Sequence, residues 1–232
     1  MGRATRACPL RDVKGDPVTE LEVYVDTRRT LAEFAFARGH GNILKTVDDL
    51  QRYEKIIDMT SPEVIVECGT ATGASAAWFA RQGLDVITID MVPRMQDRRV
   101  IYKTWPMLYE RLTFLNGSTT DARIIERVTE LVAGRRCMVS LDSDHSKSYV
   151  EQEITAYIPF VSPDCYLVVE DGIFRFAEPQ QWHLFHFGDP ALGTPLDAIE
   201  STLVGHPDFE RDVAIEVMTP ISHHPGGWWR RK

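Results

Sequence analysis

Short apolar runs recur along the chain, each rich in β-branched residues and bounded by charged residues or glycine. Six or seven residues is the length of a buried strand, and apolar side chains on both faces are typical of a parallel sheet covered by helices. The runs lie at 63–68 (EVIVEC), 85–90 (DVITID), 112–117 (LTFLNG), 137–142 (CMVSLD) and 165–171 (CYLVVED). They predict five strands in the middle of the chain.

Segments with apolar residues at helical spacing alternate with these runs. In the first, Leu50, Tyr53 and Ile56 share one face, Thr46 is placed to cap the start, and Ser61-Pro62 ends the segment. The predicted helices span 46–59, 74–82, 122–131, 149–157 and 195–204. The alternation of strands and helices predicts an α/β fold with a doubly wound, mostly parallel sheet.

The two ends of the chain are patterned differently. Residues 1–45 predict an N-terminal helical arm or lid segment, and 46–232 predict the main domain. The segment 214–218 (AIEVM) predicts a late strand. The tail, with its paired His223-His224 and Trp228-Trp229, predicts a subunit interface, in keeping with an expected homo-oligomer, or a flexible end.

After the fifth strand, 172–194 is aromatic and loop-like, which predicts a lid. The lid aromatics form a wall for an apolar acceptor, or else pack as core or against another subunit. They are Phe174, Phe176, Trp182, Phe185 and Phe187.

Composition narrows the class of protein. Of the 232 residues, 44% are hydrophobic and 26% charged, which is ordinary for a globular domain. With 26 Lys+Arg against 34 Asp+Glu, the net charge of −8 disfavours nucleic acid as a partner. No apolar run approaches the roughly 18 residues of a membrane span, and none follows the charged N-terminus as in a signal peptide. The four cysteines form no CxxC pair, so reduced thiols and a cytoplasmic location are expected.

A glycine loop joins the first strand to the next helix. Gly69 and Gly73 allow the backbone to approach a ligand closely, but Ala71 stands where a dinucleotide-binding loop would have its middle glycine. The ExGxxxG pattern resembles class I S-adenosylmethionine-dependent methyltransferases. In that case Asp90, 21 residues after Gly69, accepts hydrogen bonds from the ribose, and the turn 117–121 lies by the adenine. The predicted cofactor-binding residues are Glu67, Gly69, Thr70, Gly73, Ser75, Asp90, Gly117, Ser118, Thr119 and Asp142.

Four carboxylates follow the fourth and fifth strands. Asp142 and Asp144 end one strand, Glu170 and Asp171 end the other, and parallel strands open on the same edge. Four acids with one histidine, His145, are costly to hold together unless a cation neutralises them. Oxygen ligands favour Mg²⁺, with Ca²⁺ or Mn²⁺ next. Helix capping is the alternative explanation for one or two of the acids.

The sequence resembles the family of cephalosporin hydroxylases and rhamnosyl O-methyltransferases in four places. They are 41–57 (GNILKTVDDLQRYEKII), the glycine loop, and the two acidic motifs LDSDHS and VVEDG. The resemblance runs from Gly41 to Asp171 and extends more distantly to catechol O-methyltransferase. It implies a Rossmann-like class I methyltransferase fold and a metal held by Asp142, Glu170 and Asp171, with Asp144 a fourth candidate. His145 stands where catechol enzymes have a proton-accepting lysine.

These features predict a metal-dependent O-methyltransferase that uses S-adenosylmethionine and acts on a hydroxyl of a small natural product, such as a sugar of a glycosylated antibiotic. His145, or alternatively Asp144, is the expected catalytic base. The alternative role for His145 is only to orient Asp142 or Glu170. Two other functions stay open. One is an NAD-type oxidoreductase on a similar sheet, and the other is an accessory protein that has lost catalysis.

Overall fold

A seven-stranded sheet forms the centre of the computed structural model, which describes residues 45–93, 95–176 and 192–232. The strands are β1 (Val64–Cys68), β2 (Asp85–Asp90), β3 (Leu112–Asn116), β4 (Cys137–Leu141), β5 (Tyr166–Val169), β6 (Phe209–Arg211) and β7 (Trp228–Arg231). Their order is β3-β2-β1-β4-β5-β7-β6, and only β7 runs antiparallel to its neighbours. The strand order reverses direction at β1, so right-handed crossovers place helices on both faces. The predicted doubly wound α/β fold is confirmed.

Helices connect most of the strands. They are α1 (Val47–Thr60), α2 (Ala74–Arg81), α3 (Met95–Thr104), α4 (Pro106–Tyr109), α5 (Ala122–Val132), α6 (Lys147–Tyr157), α7 (Pro195–Thr202) and α8 (Val213–Glu216), with 3-10 turns at Ile158–Phe160 and Gly172–Phe176. Thr46 caps α1 as predicted, since its side chain accepts a hydrogen bond from the Asp49 amide. The five predicted helices are present, with ends shifted by up to two residues. The sequence pattern did not predict α3 and α4.

The late strand predicted at 214–218 is wrong, because this segment contains helix α8. Asp212 caps that helix by accepting a hydrogen bond from the Ile215 amide at 3.1 Å. The actual strand, β6, lies just before it and is only three residues long. A strand this short gives too few alternating positions to stand out in the sequence.

The prediction of a tail that is flexible or forms an interface is also wrong. Strand β7 lies inside the sheet between β5 and β6, and Trp228 and Trp229 are buried. The ring of Trp228 packs edge-on to Tyr53 of α1, with centroids 5.1 Å apart. The end of the chain is therefore part of the core.

A buried arginine ties α1 to the segment that precedes β7. Arg52 is 1% exposed, yet its guanidinium pairs with Asp49 at 3.0 Å and donates to backbone carbonyl oxygens. Those carbonyls belong to Ile215, Glu216, Thr219 and Ile221. Because every donor direction is used, the charge can be buried without a large desolvation penalty.

Other sequence expectations fall partly within the described residues. Cys68, Cys137 and Cys165 are buried free thiols, and Cys8 lies outside the described part. Phe174 is buried and Phe176 is partly buried, while Trp182, Phe185 and Phe187 of the predicted lid lie outside it. The arm at 1–45 is described only at Lys45. Within the three described ranges, no helix has the length and apolar character needed to cross a bilayer.

Gly69 is fixed by the packing of β1 against β4. Its φ is +98°, and a Cβ added there would lie 1.8 Å from the carbonyl oxygen of Asp142. Gly83 has a similar φ of +95°, but a Cβ there would meet nothing within 4 Å. A substitution at Gly83 would therefore cause backbone strain only, whereas one at Gly69 would cause backbone strain and a steric clash with Asp142.

Gly83→Ala should reduce the free energy of unfolding by about 1–2 kcal/mol, the cost of a left-handed non-glycine residue. Gly69→Ala should lose about 1–3 kcal/mol more, because β4 must also move. Urea unfolding of both variants measures the difference. Equal losses would show that the contact between Gly69 and Asp142 does not constrain the fold.

Candidate functional site

Backbone hydrogen bonds continue beyond the strand ends and hold four adjacent strands in register. The amide of Gly69 donates to Ile89, that of Asp142 to Cys68, and that of Glu170 to Leu141, all at 2.8–2.9 Å. The residues that follow β1, β2, β4 and β5 are therefore fixed relative to one another. This carboxyl edge is where ligands bind in open α/β sheets.

The glycine loop turns tightly from β1 into α2. Gly73, the N-cap residue of α2, has φ +78°, and Ala71 has φ +44°, a left-handed conformation that alanine rarely adopts. The amide of Ala71 donates to Asp90 Oδ2 at 2.9 Å. This hydrogen bond stabilises the strained turn and joins the loop to the end of β2.

Asp90 and Gly117 close the same edge at β2 and β3. Asp90 is partly buried, its Oδ1 accepts from the Val92 amide at 2.8 Å, and its backbone oxygen accepts from the Gly117 amide at 3.0 Å. A carboxylate has further lone pairs, so Asp90 can still accept from a ligand hydroxyl.

Glu67 lies beneath the glycine loop and is fully buried. Its Oε2 accepts from Thr88 at 2.6 Å, and the Thr88 hydroxyl also contacts that of Thr70 at 2.7 Å. Burial raises the pKa of Glu67 to about 7, against the opposing effects of Lys45 and of hydrogen bonds from Ser75 and Thr88. Three of the predicted cofactor residues, Glu67, Thr70 and Ser75, are thus brought together.

The predicted adenine turn packs on α6. The Ser118 hydroxyl lies 2.7 Å from that of Tyr149, and Thr119 donates to Glu153 Oε1 at 2.5 Å, as does Ser143. Burial raises the pKa of Glu153 to about 7, although these hydroxyl hydrogen bonds lower it. Glu153 was not singled out from the sequence, because one acid in an amphipathic helix gives no sign of being buried.

Three potential metal ligands converge at the ends of β4 and β5. His145 Nε2 lies 3.1 Å from Asp171 Oδ2 and 3.5 Å from Asp142 Oδ1, and one ligand atom from each residue falls within 4.8 Å of the others. We call Asp142, His145 and Asp171 the open group, because their side chains are 17–26% exposed.

The pKa values within the open group reflect its charges. Burial alone would lower the pKa of His145, but hydrogen bonds and charges from Asp142 and Asp171 raise it to about 10. For Asp142, burial acts to raise the pKa, yet Lys45 and His145 hold it well below its usual range. These shifts favour a positively charged His145 between the carboxylates of Asp142 and Asp171.

Glu170 is oriented away from the open group into a buried network. Its Oε1 accepts from the Tyr53 hydroxyl at 2.6 Å and from Ser140 at 2.5 Å, and its Oε2 accepts from Lys45 at 2.5 Å. Burial and the charge of Asp142 raise its pKa, while Lys45 and His224 lower it. This buried network had no signature in the sequence beyond the acid itself.

Asp144 also lies apart from the open group. Its Oδ1 accepts from the Ser146 amide at 2.8 Å and from the Ser146 hydroxyl at 2.5 Å, just before α6. The structure thus brings together Asp142, Asp171 and His145, while Glu170 is held behind them and Asp144 supports the start of a helix. Ser146 is the N-cap residue of α6, and Asp144 forms a turn with it rather than capping the helix itself.

Besides Glu153, sequence reasoning missed the roles of Lys45 and His224 in the site. Lys45, at the boundary of the predicted arm, bridges Asp142 and Glu170. His224, from the tail, accepts from the Asp171 amide through Nδ1 at 3.0 Å, and its Nε2 lies 3.2 Å from Glu170 Oε2. Asp171 has φ +59°, so His224 stabilises an unfavourable turn. Both contacts join residues distant in sequence.

The family model "Rhamnosyl O-methyltransferase/CmcI" matches residues 32–232. The chain belongs to the rhamnosyl O-methyltransferase/CmcI family. Its similarity to a rhamnosyl O-methyltransferase of Mycobacterium tuberculosis H37Rv is 32% identity over 139 residues, covering 56% of this chain and 54% of the relative. A Mycobacterium leprae protein of the same name is 27% identical over 202 residues, covering 82% and 80%. The first of these alignments spans about half the length of the relative.

Solved structures agree with the fold expected for a member of the rhamnosyl O-methyltransferase/CmcI family. A structure named "cmcI-D160 Mg-SAM" superposes with a TM-score of 0.51 at 18% identity, covering 82% of this chain and 73% of the other. A Staphylococcus aureus protein named as a caffeoyl-CoA O-methyltransferase gives a TM-score of 0.62 at 15% identity, covering 88% and 92%. The Rossmann-like class I methyltransferase fold is thereby confirmed.

His224→Ala should lower the free energy of unfolding by about 2–4 kcal/mol, because it leaves a cavity and an unpaired Asp171 amide. His224→Asn should recover part of this loss, since its side-chain oxygen can replace Nδ1. His206 is the control: its Nδ1 accepts from the Asp208 amide at 3.2 Å in an exposed turn, and His206→Ala should cost under about 1 kcal/mol. Equal losses at the two positions in urea unfolding would contradict the role given to His224.

Proposed function

We propose that this protein transfers a methyl group from S-adenosylmethionine to a hydroxyl of a small natural product, with a divalent cation at the acceptor side. The observation that carries the proposal is the position of the open group beside the glycine loop, on one edge of a methyltransferase sheet. Family membership supports the methyltransferase over the oxidoreductase and over an accessory protein. The left-handed Ala71, in place of a middle glycine, also disfavours a dinucleotide.

The cofactor half of the site is proposed to comprise the residues around β1, β2 and β3. Gly69 and Gly73 keep the backbone close enough to contact the methionine end, and Asp90 can accept from the ribose hydroxyls. Gly117, Ser118 and Thr119 border the adenine side. Glu67, Thr70 and Ser75 hold the loop from below through the hydrogen bonds that surround Thr88.

The acceptor half is proposed to hold Mg²⁺, with Mn²⁺ or Ca²⁺ as substitutes. The side chains of Asp142 and Asp171 are 26% and 17% exposed, and each offers a carboxylate oxygen within 4.8 Å of the other and of a His145 nitrogen. Carboxylate oxygens are the hard donors that these ions prefer. Glu170 can join them only if it gives up a contact with the buried network. When bound, the ion would lower the pKa of the acceptor hydroxyl. The relative named "Mg-SAM" contains both groups by its name.

His145 is proposed to take the proton from the acceptor hydroxyl, with Asp144 as the lesser candidate. His145 Nε2 lies between the carboxylates of Asp142 and Asp171. The imidazole ring packs edge-on against Phe174, with ring centroids 5.1 Å apart. A second positive charge in the open group would favour the neutral imidazole, which is the form a base requires. S-adenosylmethionine, when bound, would supply the methyl group and leave as S-adenosylhomocysteine, and the residues that hold both reactants in place would supply much of the rate.

The name of the relatives, rhamnosyl O-methyltransferase, supports a sugar hydroxyl as the acceptor. We propose a glycosylated natural product, such as an antibiotic, as the substrate class. Phe174 and Phe176 are the described part of the aromatic segment that would contact its apolar portion.

Removal of divalent cations with EDTA should abolish methyl transfer from labelled S-adenosylmethionine to a panel of rhamnosides and other glycosides, and Mg²⁺ should restore it. Asp142→Asn should behave as the EDTA-treated protein does even when Mg²⁺ is present. His145→Ala should retain the metal but lower kcat by about 10²–10⁴-fold, the usual contribution of a general base.

Asp164→Asn is the matched control, because Asp164 precedes β5 at the opposite edge of the sheet and pairs only with the exposed Arg230 among the described residues. It should keep full activity and full dependence on Mg²⁺. Calorimetry with S-adenosylmethionine should show unchanged binding in EDTA. Full turnover after confirmed removal of metal would overturn the metal-dependent mechanism.

A further inference from the structure

Lys45 is a buried cation in a site that we propose to bind another cation. Its side chain is 3% exposed, and Nζ lies 2.8 Å from Asp142 Oδ2 and 2.5 Å from Glu170 Oε2. Burial acts to lower the pKa of Lys45, but the charges of Asp142, Glu170 and Glu67 outweigh it and raise the pKa above the usual value. Two carboxylate oxygens within 2.8 Å of Nζ stabilise the charged ammonium.

Lys45 pairs differently with the two acids that it contacts. Glu170 is 1% exposed and its two oxygens are both occupied, so its charge is neutralised from inside by Lys45. Asp142 is shared, because Oδ2 faces Lys45 while Oδ1 faces His145 in the open group. Any cation in the open group must then use a carboxylate that already has a positive partner.

We propose that Lys45 is an internal counter-cation that holds Asp142 and Glu170 in place when no metal is bound and thereby limits the affinity of the open group for divalent cations. This proposal rests on the metal site of the proposed function. In the proposed function Lys45 is not given a contact with the cofactor or the acceptor, so we describe it as a positioning residue. Its position just before α1 links the start of that helix to the acidic edge of the sheet.

Two physical consequences follow. Without Lys45, the buried pair of carboxylates is left uncompensated, which destabilises the metal-free protein. The same change removes a positive charge next to Asp142, which strengthens binding of a divalent cation by electrostatics. A purely structural lysine would produce only the first effect.

The test uses Lys45→Met and Lys45→Gln in the full-length chain. In EDTA, each should unfold about 6 °C or more below the wild type, as expected for a broken buried ion pair. Saturating Mg²⁺ should raise the midpoint of each variant by more degrees than that of the wild type. Titration with Mn²⁺, followed by electron paramagnetic resonance, should show at least about tenfold tighter binding. Lys45→Arg, which keeps the charge, should bind Mn²⁺ like the wild type.

Arg135→Met is the control for loss of an ion pair elsewhere. Arg135 pairs with Asp85 at 2.7 Å, at the opposite edge of the sheet. This variant should lose stability by the same amount with and without Mg²⁺ and should keep wild-type affinity for Mn²⁺.

The outcomes separate this proposal from the proposed function. If the wild type binds Mn²⁺ and the neutral variants bind it equally or more weakly, the role of Lys45 is overturned and the metal site stands. If neither the wild type nor any Lys45 variant binds Mn²⁺, both are overturned. Binding by the neutral variants alone would support the counter-cation in its strongest form. Lys45→Gln keeps the test usable if Lys45→Met does not fold.

Discussion

The buried charge of Glu170 is the constraint around which the acidic edge of the sheet is organised. A carboxylate at 1% exposure is tolerated only where hydrogen bonds and cations surround it. Here the hydrogen bonds come from Tyr53 in α1 and Ser140 in β4, and the cation is Lys45, just before α1. The imidazole of His224, which precedes β7, lies 3.2 Å from Glu170 Oε2. The first described helix and the last strand are thereby joined at one side chain.

This convergence determines what remains available for chemistry. Because Glu170 is held in the buried network, the carboxylates next to His145 are those of Asp142 and Asp171, and both are partly exposed. The turn of Asp171 is held by the imidazole of His224, and the position of Asp142 by its backbone contact with Gly69. The glycine loop and the open group are therefore held on one continuous edge of the sheet, which suits the proposed transfer between two bound reactants.

The sequence predicted those parts of the fold that depend on local pattern. Five strands and five helices followed from apolar runs and helical spacing, and parallel topology placed the acids on one edge. It could not predict strand β7, because WWRR at the end of a chain has no neighbours in sequence that reveal burial. Nor could it separate Glu170 from Asp171, or find Lys45, since those distinctions arise from contacts between residues more than 90 positions apart. The local pattern of apolar residues determines where helices and strands form. Contacts between residues distant in sequence determine which acids of the site are buried and paired.

Diffraction at the manganese absorption edge, from crystals grown with Mn²⁺ and S-adenosylhomocysteine, would locate the cation. We expect an anomalous peak in contact with the carboxylates of Asp142 and Asp171 and adjacent to His145, with Tyr53 still hydrogen-bonded to Glu170. A peak at Asp144 alone, or the absence of any peak at the acidic edge at saturating Mn²⁺, would contradict this expectation.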